Sequence, residues 1–126
     1  MKKFINRYFP AIAWAGIIFF FSSLQTVPSP QDTVLNFILK KSAHIFEYAV
    51  LYWLAFRAVN RDETSSQKKR GDYLTPLVFT LIYAIFDEIH QSFVPNRHAK
   101  LYDVGFDLAG ALLAIWGIYR NRYSGQ

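Results

Sequence analysis

The chain has 126 residues, which bounds it to one domain. Hydrophobic residues make up 52%, aromatic residues 18% and charged residues 18%, and the absence of cysteine excludes disulfides and thiolate metal sites. The net charge of +5 sits where it reads as a topology signal rather than a phosphate-binding surface, so no nucleic-acid partner is expected.

Such a balance would fit a soluble protein, but the arrangement does not, because the charges cluster and leave long apolar runs between them. The first run, 8–24, is uncharged and follows Lys2, Lys3 and Arg7. A signal peptide has the same layout. This run is longer than a usual signal-peptide core, however, and QTVPSP follows it in place of a small-residue cleavage site. It reads as a retained membrane helix. The connector 25–41 holds Pro28 and Pro30, then an apolar stretch at 34–39 that reads as a short helix lying in the interface. The second run, 42–59, is interrupted by Ser42, His44, Glu47 and Arg57. The polar segment 60–72, NRDETSSQKKRGD, reads as a solvated loop. The third run is 73–94, PNRHAK at 95–100 reads as a tight turn, and the fourth run is 101–119.

Each run is near the ~20 residues a helix needs to cross a bilayer. None shows the two-residue alternation of barrel strands. The expected fold is therefore all-α, an integral membrane four-helix bundle forming one domain over 1–126. Of the 14 Lys and Arg, ten lie at the N-terminus, between 57 and 72, or at the C-terminus. Lys40, Lys41, Arg97 and Lys100 lie on the other side. The positive-inside rule then puts both termini in the cytoplasm.

The ionisable residues inside these runs carry the functional information, since a charge in hydrocarbon is costly and marks a site or a pair. At ~1.5 Å per helical residue, Glu47 in the second span, Asp87 and Glu88 in the third and Asp107 in the fourth fall in one layer of the outer leaflet. Gln91 lies nearer the surface, with Lys41, His44 and Asp103. Facing agrees with depth. Lys41, His44, Glu47 and Tyr48 share one face, Asp87, Glu88 and Gln91 share another with Tyr83 beside them, and Asp103 and Asp107 continue into Gly110, Ala114 and Gly117. Small residues on that stripe let a neighbouring backbone approach closely. Four carboxylates at one depth need compensation by shared protons, by Lys41, His44 and Arg97, or by a divalent metal held by His44, Glu47, Glu88 and Asp107. Two plainer readings compete: the polar groups only join helices, or the layer lies in the headgroup zone. His90 reads as interfacial packing and His98 as solvated.

Three blocks carry a resemblance: K-S-A-H-I-F-E-Y at 41–48, D-E-I-H-Q-S-F-V-P-N-R at 87–97 and D-V-G-F-D-L-A-G at 103–110. They resemble the VanZ-like family pattern K-x2-H-x2-E-Y, D-E-x2-Q-x-F-x-P-G-R, D-x3-N-x2-G, in order and with similar spacing. Phe21, Ser22 and Ser23 also fit. Asn96 stands in place of the usual turn Gly, and Asn tolerates the left-handed conformation. Asp107 stands where the family often has Asn. The resemblance implies a multi-pass protein of the bacterial inner membrane, in a family named for a protein linked to teicoplanin resistance, some members of which are associated with reduced glycopeptide susceptibility.

Three functions follow as expectations. The first is a non-catalytic envelope protein whose outward-facing polar pocket binds a lipid headgroup, a lipid-linked cell-wall intermediate or a glycopeptide. Lys41, His44 and Arg97 would contact anionic groups, and Glu47, Asp87, Glu88 and Asp107 would orient the ligand or contact amines. The second is an intramembrane enzyme acting on a lipid-linked headgroup, with His44 as general acid/base or with a metal activating water. The chain lacks HExxH, a Ser elbow and a Cys nucleophile. The third is a proton-coupled transporter, against which the polar groups stop in the outer half.

Overall fold

The computed structural model describes residues 2–23, 34–60, 72–94 and 102–124. They form four α-helices and no strand: α1 (Lys2–Ser23), α2 (Val34–Val59), α3 (Leu74–Ser92) and α4 (Tyr102–Ser124). The expected all-α fold is present, with boundaries shifted. α1 begins at Lys2 rather than at the start of the apolar run, and it carries Pro10 within the helix. α4 runs on to Ser124. The interfacial helix expected over 34–39 is corrected: those residues are the first turns of the 26-residue α2. No Pro or Gly interrupts the chain from 34 to 59, so nothing ends the helix between the two runs.

α2 is the central element. It packs most extensively against α4 and also against α1 and α3, while among the described residues no Cα atom of α1 lies within 8 Å of one in α4. One apolar core joins Ile18, Tyr48, Leu51 and Ala84, with Trp14 and Tyr83 against it. A second joins Tyr52, Phe56 and Ala111, with Tyr73, Leu77 and Ile118 around them. Gly110 sets the α2–α4 approach. A Cβ there would overlap the Ile45 carbonyl oxygen and stand 3.0 Å from its carbon and 3.1 Å from the Ala49 nitrogen. Only a residue without a side chain allows this crossing. Gly117, on the same predicted stripe, has nothing within 4 Å.

Side-chain to backbone bonds fasten the helices. The Arg7 guanidinium donates to the carbonyl of Ala58 and, at 2.8 Å, to that of Val59. It thereby covers carbonyls that the last turn of α2 leaves without helical partners. Trp14 Nε1 donates to the Glu47 carbonyl at 2.8 Å, and the Tyr83 hydroxyl donates to that of Ala15. Asn60 Nδ2 donates to the carbonyls of Phe56 and Asp72, and Asn60 Oδ1 accepts from the Asp72 nitrogen at 2.6 Å. Asp72 caps α3, accepting from the nitrogens of Leu74 and Thr75 at 3.1 and 3.0 Å and from the Thr75 hydroxyl at 2.6 Å. The Thr75 hydroxyl and backbone bonds hold the Asp72 carboxyl below the usual carboxylate range.

The distribution of polarity is inverted relative to a water-soluble bundle. Phe20, Phe46, Ile82 and Trp116 are 62%, 63%, 62% and 59% exposed, whereas Asp87 and Asp107 are each 1% exposed. Among the described residues α1 alone has the length and hydropathy to cross a membrane, and 11% of its apolar stretch is buried. The ionisable residues in α2, α3 and α4 lower their hydropathy.

Candidate functional site

The polar groups assemble at the end of the bundle where α1 finishes, α3 finishes and α4 begins. α2 contributes Lys41, His44 and Tyr48 at helical spacing, so the three project from one face. α4 answers with Asp103 and Asp107, one turn apart. Lys41 Nζ forms an ion pair with Asp103 Oδ1 and lies 5.2 Å from the centre of the Phe106 ring. His44 Nδ1 stands 3.2 Å from Asp107 Oδ1. The third anchor is Asp87 of α3, whose Oδ2 accepts from the Tyr48 hydroxyl at 3.1 Å and from Gln91 Nε2 at 3.2 Å. Gln91 Nε2 also donates to Ser22 Oγ of α1 at 3.2 Å. Four helices thus meet in one connected polar layer.

Depth is graded across it. The side chains of Lys41 and Asp103 are 18% and 16% exposed, and those of His44 and Asp107 are 20% and 2% exposed. Asp87, Glu88 and Gln91 are buried. Lys41, Asp103 and His44 form the partly exposed edge of the layer, and Asp107 and Asp87 lie buried within it. Asp107, Glu47 and Asp87 all act on His44 by charge. Asp103 and Asp87 act likewise on Asp107, and Glu47 and Asp87 on Tyr83. A lysine and a histidine therefore each face one aspartate, and Asp87, Glu88 and Glu47 add three more acidic side chains to the layer. Asp87 Oδ1 is buried with no hydrogen-bond partner among the described residues. A buried acceptor of this kind calls for a donor.

The structure joins Lys41, His44, Tyr48, Asp87, Gln91, Asp103 and Asp107 directly and brings Glu47 within electrostatic reach. Tyr83 is a strut between α3 and α1, its ring 6.3 Å from that of Tyr48. Arg97, with Asn96 and His98, lies outside the described residues. The proposed metal set of His44, Glu47, Glu88 and Asp107 gains no geometric support. Among the described residues no three His, Asp or Glu side chains converge as a metal-binding group, and His44 spends Nδ1 on Asp107. His90 is stacked on Phe19 with ring centroids 4.3 Å apart, and its Nε2 lies 2.9 Å from Ser23 Oγ. Ser22, named above only within the family pattern, joins the site through Gln91; its signal in the sequence is a pair of hydroxyls near the end of an otherwise apolar run. A cavity of about 590 Å³ opens at the other end of the bundle, among Arg7, Arg57, Asn60 and Asn121, and is separate from this layer.

A protein-family comparison matches residues 7–122 to the family described as VanZ/LLP1. No curated protein and no solved structure matches the chain.

Proposed function

Because the chain belongs to the VanZ/LLP1 family, we propose that it is a multi-pass protein of the bacterial inner membrane, one domain whose four helices all cross the bilayer with both termini in the cytoplasm. Its polar layer faces the extracytoplasmic side and binds a lipid headgroup, a lipid-linked cell-wall intermediate or a glycopeptide, and through that binding alters glycopeptide susceptibility. The apolar exterior around a buried ionisable layer supports the membrane reading. The observation that carries the binding reading is the graded assembly of Lys41–Asp103, His44–Asp107 and Tyr48–Asp87–Gln91 from separate helices. A ligand with both anionic and amine groups would exchange with these pairs. The anionic part would take Lys41 and His44, and the amine would take Asp103, Asp87 or Asp107. Arg97 is proposed to contact the same anionic part.

A second reading rests on the His44–Asp107 pair. A carboxylate on one imidazole nitrogen orients the ring as a general acid/base toward a headgroup. The two readings part on turnover: binding leaves the ligand intact, and catalysis changes its mass.

The test is susceptibility to teicoplanin of a strain lacking the protein, complemented with wild type or with Asp87→Asn, while membrane accumulation is followed. Wild type should restore the phenotype and Asp87→Asn should not, at equal accumulation. If Asp87→Asn fails to accumulate and Lys41→Gln, at the partly exposed edge, accumulates and restores the phenotype fully, the layer only joins helices and the binding reading is wrong.

A further inference from the structure

The cavity remote from the polar layer has a chemistry of its own. Among the described residues no Cα atom of α1 lies within 8 Å of one in α4, and the slot between them is bordered by the last turns of α2. The resulting space of about 590 Å³ is lined by Asn6 and Arg7 of α1, Trp53 and Arg57 of α2, Asn121 of α4, and Asn60. That volume is within the range of small-molecule sites. Among the described residues no acidic side chain lines it. Asp72, which is bonded through its backbone to Asn60, turns its carboxylate onto the α3 backbone and the Thr75 hydroxyl. The α2 carbonyls that would repel an anion are covered by Arg7.

Three guanidinium–aromatic pairs mark this end as a water–lipid boundary. Arg7 lies over Tyr8 at 5.6 Å, Arg57 over Trp53 at 5.7 Å and Arg120 over Trp116 at 5.3 Å. Trp53 and Trp116 are exposed, as rings at an interface are. The floor between the polar groups is apolar, made by Pro10, Phe56 and Ile118. Cationic rim, amide donors and greasy floor, open between two helices, match a ligand with a phosphate head and hydrocarbon tails.

We propose that this cavity is a binding site for the phosphodiester headgroup of an anionic phospholipid of the cytoplasmic leaflet. Arg57 supplies a guanidinium fork to the phosphate, and Asn6 and Asn121 supply amide donors beside it. Basic pockets between helices on the cytoplasmic side bind such headgroups elsewhere. The site rests on the membrane reading above and is independent of the function of the polar layer. Its ligand class differs too: the cavity takes a simple anion, and the layer takes groups of both signs.

The experiment uses the full chain in phosphatidylcholine vesicles containing a minority of phosphatidylglycerol, with retained lipid measured by mass spectrometry after mild extraction. Wild type should retain phosphatidylglycerol in preference to phosphatidylcholine. Arg57→Gln should weaken that retention roughly tenfold or more, and Asn121→Asp should act in the same direction by repulsion. Arg120→Gln, outside the cavity lining, should leave it unchanged. Equal retention by wild type and Arg57→Gln overturns the site. Occupancy by inorganic phosphate that displaces the lipid, without a preference for phosphatidylglycerol, assigns the cavity to a soluble anion and overturns the lipid source. Protein that floats with the vesicles but shows no lipid preference refutes this site alone, whereas protein that does not float refutes the membrane reading and the site together.

Discussion

Lys41, His44 and Tyr48 lie on one helical face, and each has found a different acid: Asp103, Asp107 and Asp87. Their shared face was legible from spacing, because three- and four-residue steps return a side chain to the same side of a helix. Their partners were not, since the choice among the four carboxylates of α3 and α4 depends on how those helices are rotated about α2. The Lys41–Asp103 pair is mostly buried, so its solvent screening is incomplete and each partner matters to the other. A double-mutant cycle with Lys41→Gln and Asp103→Asn, read by unfolding of the detergent-solubilised protein, should give a coupling of about 1–3 kcal/mol. Additive effects of the two substitutions would mean that the pair contributes nothing specific.

At the scale of elements, the approach of α4 to α2 is decided at a single position. Gly110 leaves no room for a methyl group beside the Ile45 carbonyl, while Gly117 faces open space. The sequence showed both as members of one small-residue stripe and did not separate them, because a stripe defines a face and not where along it the axes cross. Gly110→Ala should therefore cost about 1–3 kcal/mol through displaced backbone. Gly117→Ala should be neutral or gain about 0.5–1 kcal/mol from helix propensity. Thermal unfolding of the purified variants distinguishes them, and equal behaviour would contradict the close crossing. Arg7 shows a second gap in sequence reasoning. It counted as one positive charge among several near the N-terminus, yet its guanidinium fastens α1 to the end of α2. No local pattern announces a bond between residues 51 apart.

For the whole molecule, the charge count and the polarity inversion bear on orientation together. The cavity and the three arginine–aromatic pairs lie at the end richer in Lys and Arg, and the acidic layer lies at the other. Reporter fusions at either terminus should both report the cytoplasmic side: a fluorescent protein should glow and an exported phosphatase should stay inactive. An active phosphatase at one terminus would mean an odd number of crossings and would place the polar layer and the cavity on the wrong sides.

The order of residues by itself determined that the described parts of the apolar runs are helical, apart from the ends of the third, and that acids and bases share helix faces. Periodicity, breakers and charge placement are local properties, written within a few turns. It also ran the apolar 34–39 stretch into a separate helix, which continuous helix propensity overrode. Only the tertiary structure decided that Asp103 meets Lys41 across 62 residues, that Ser22 reaches Gln91 across 69, and that α1 and α4 part to leave a cavity. Those contacts depend on the rotation and crossing of whole helices, and that geometry emerges only when all four pack at once.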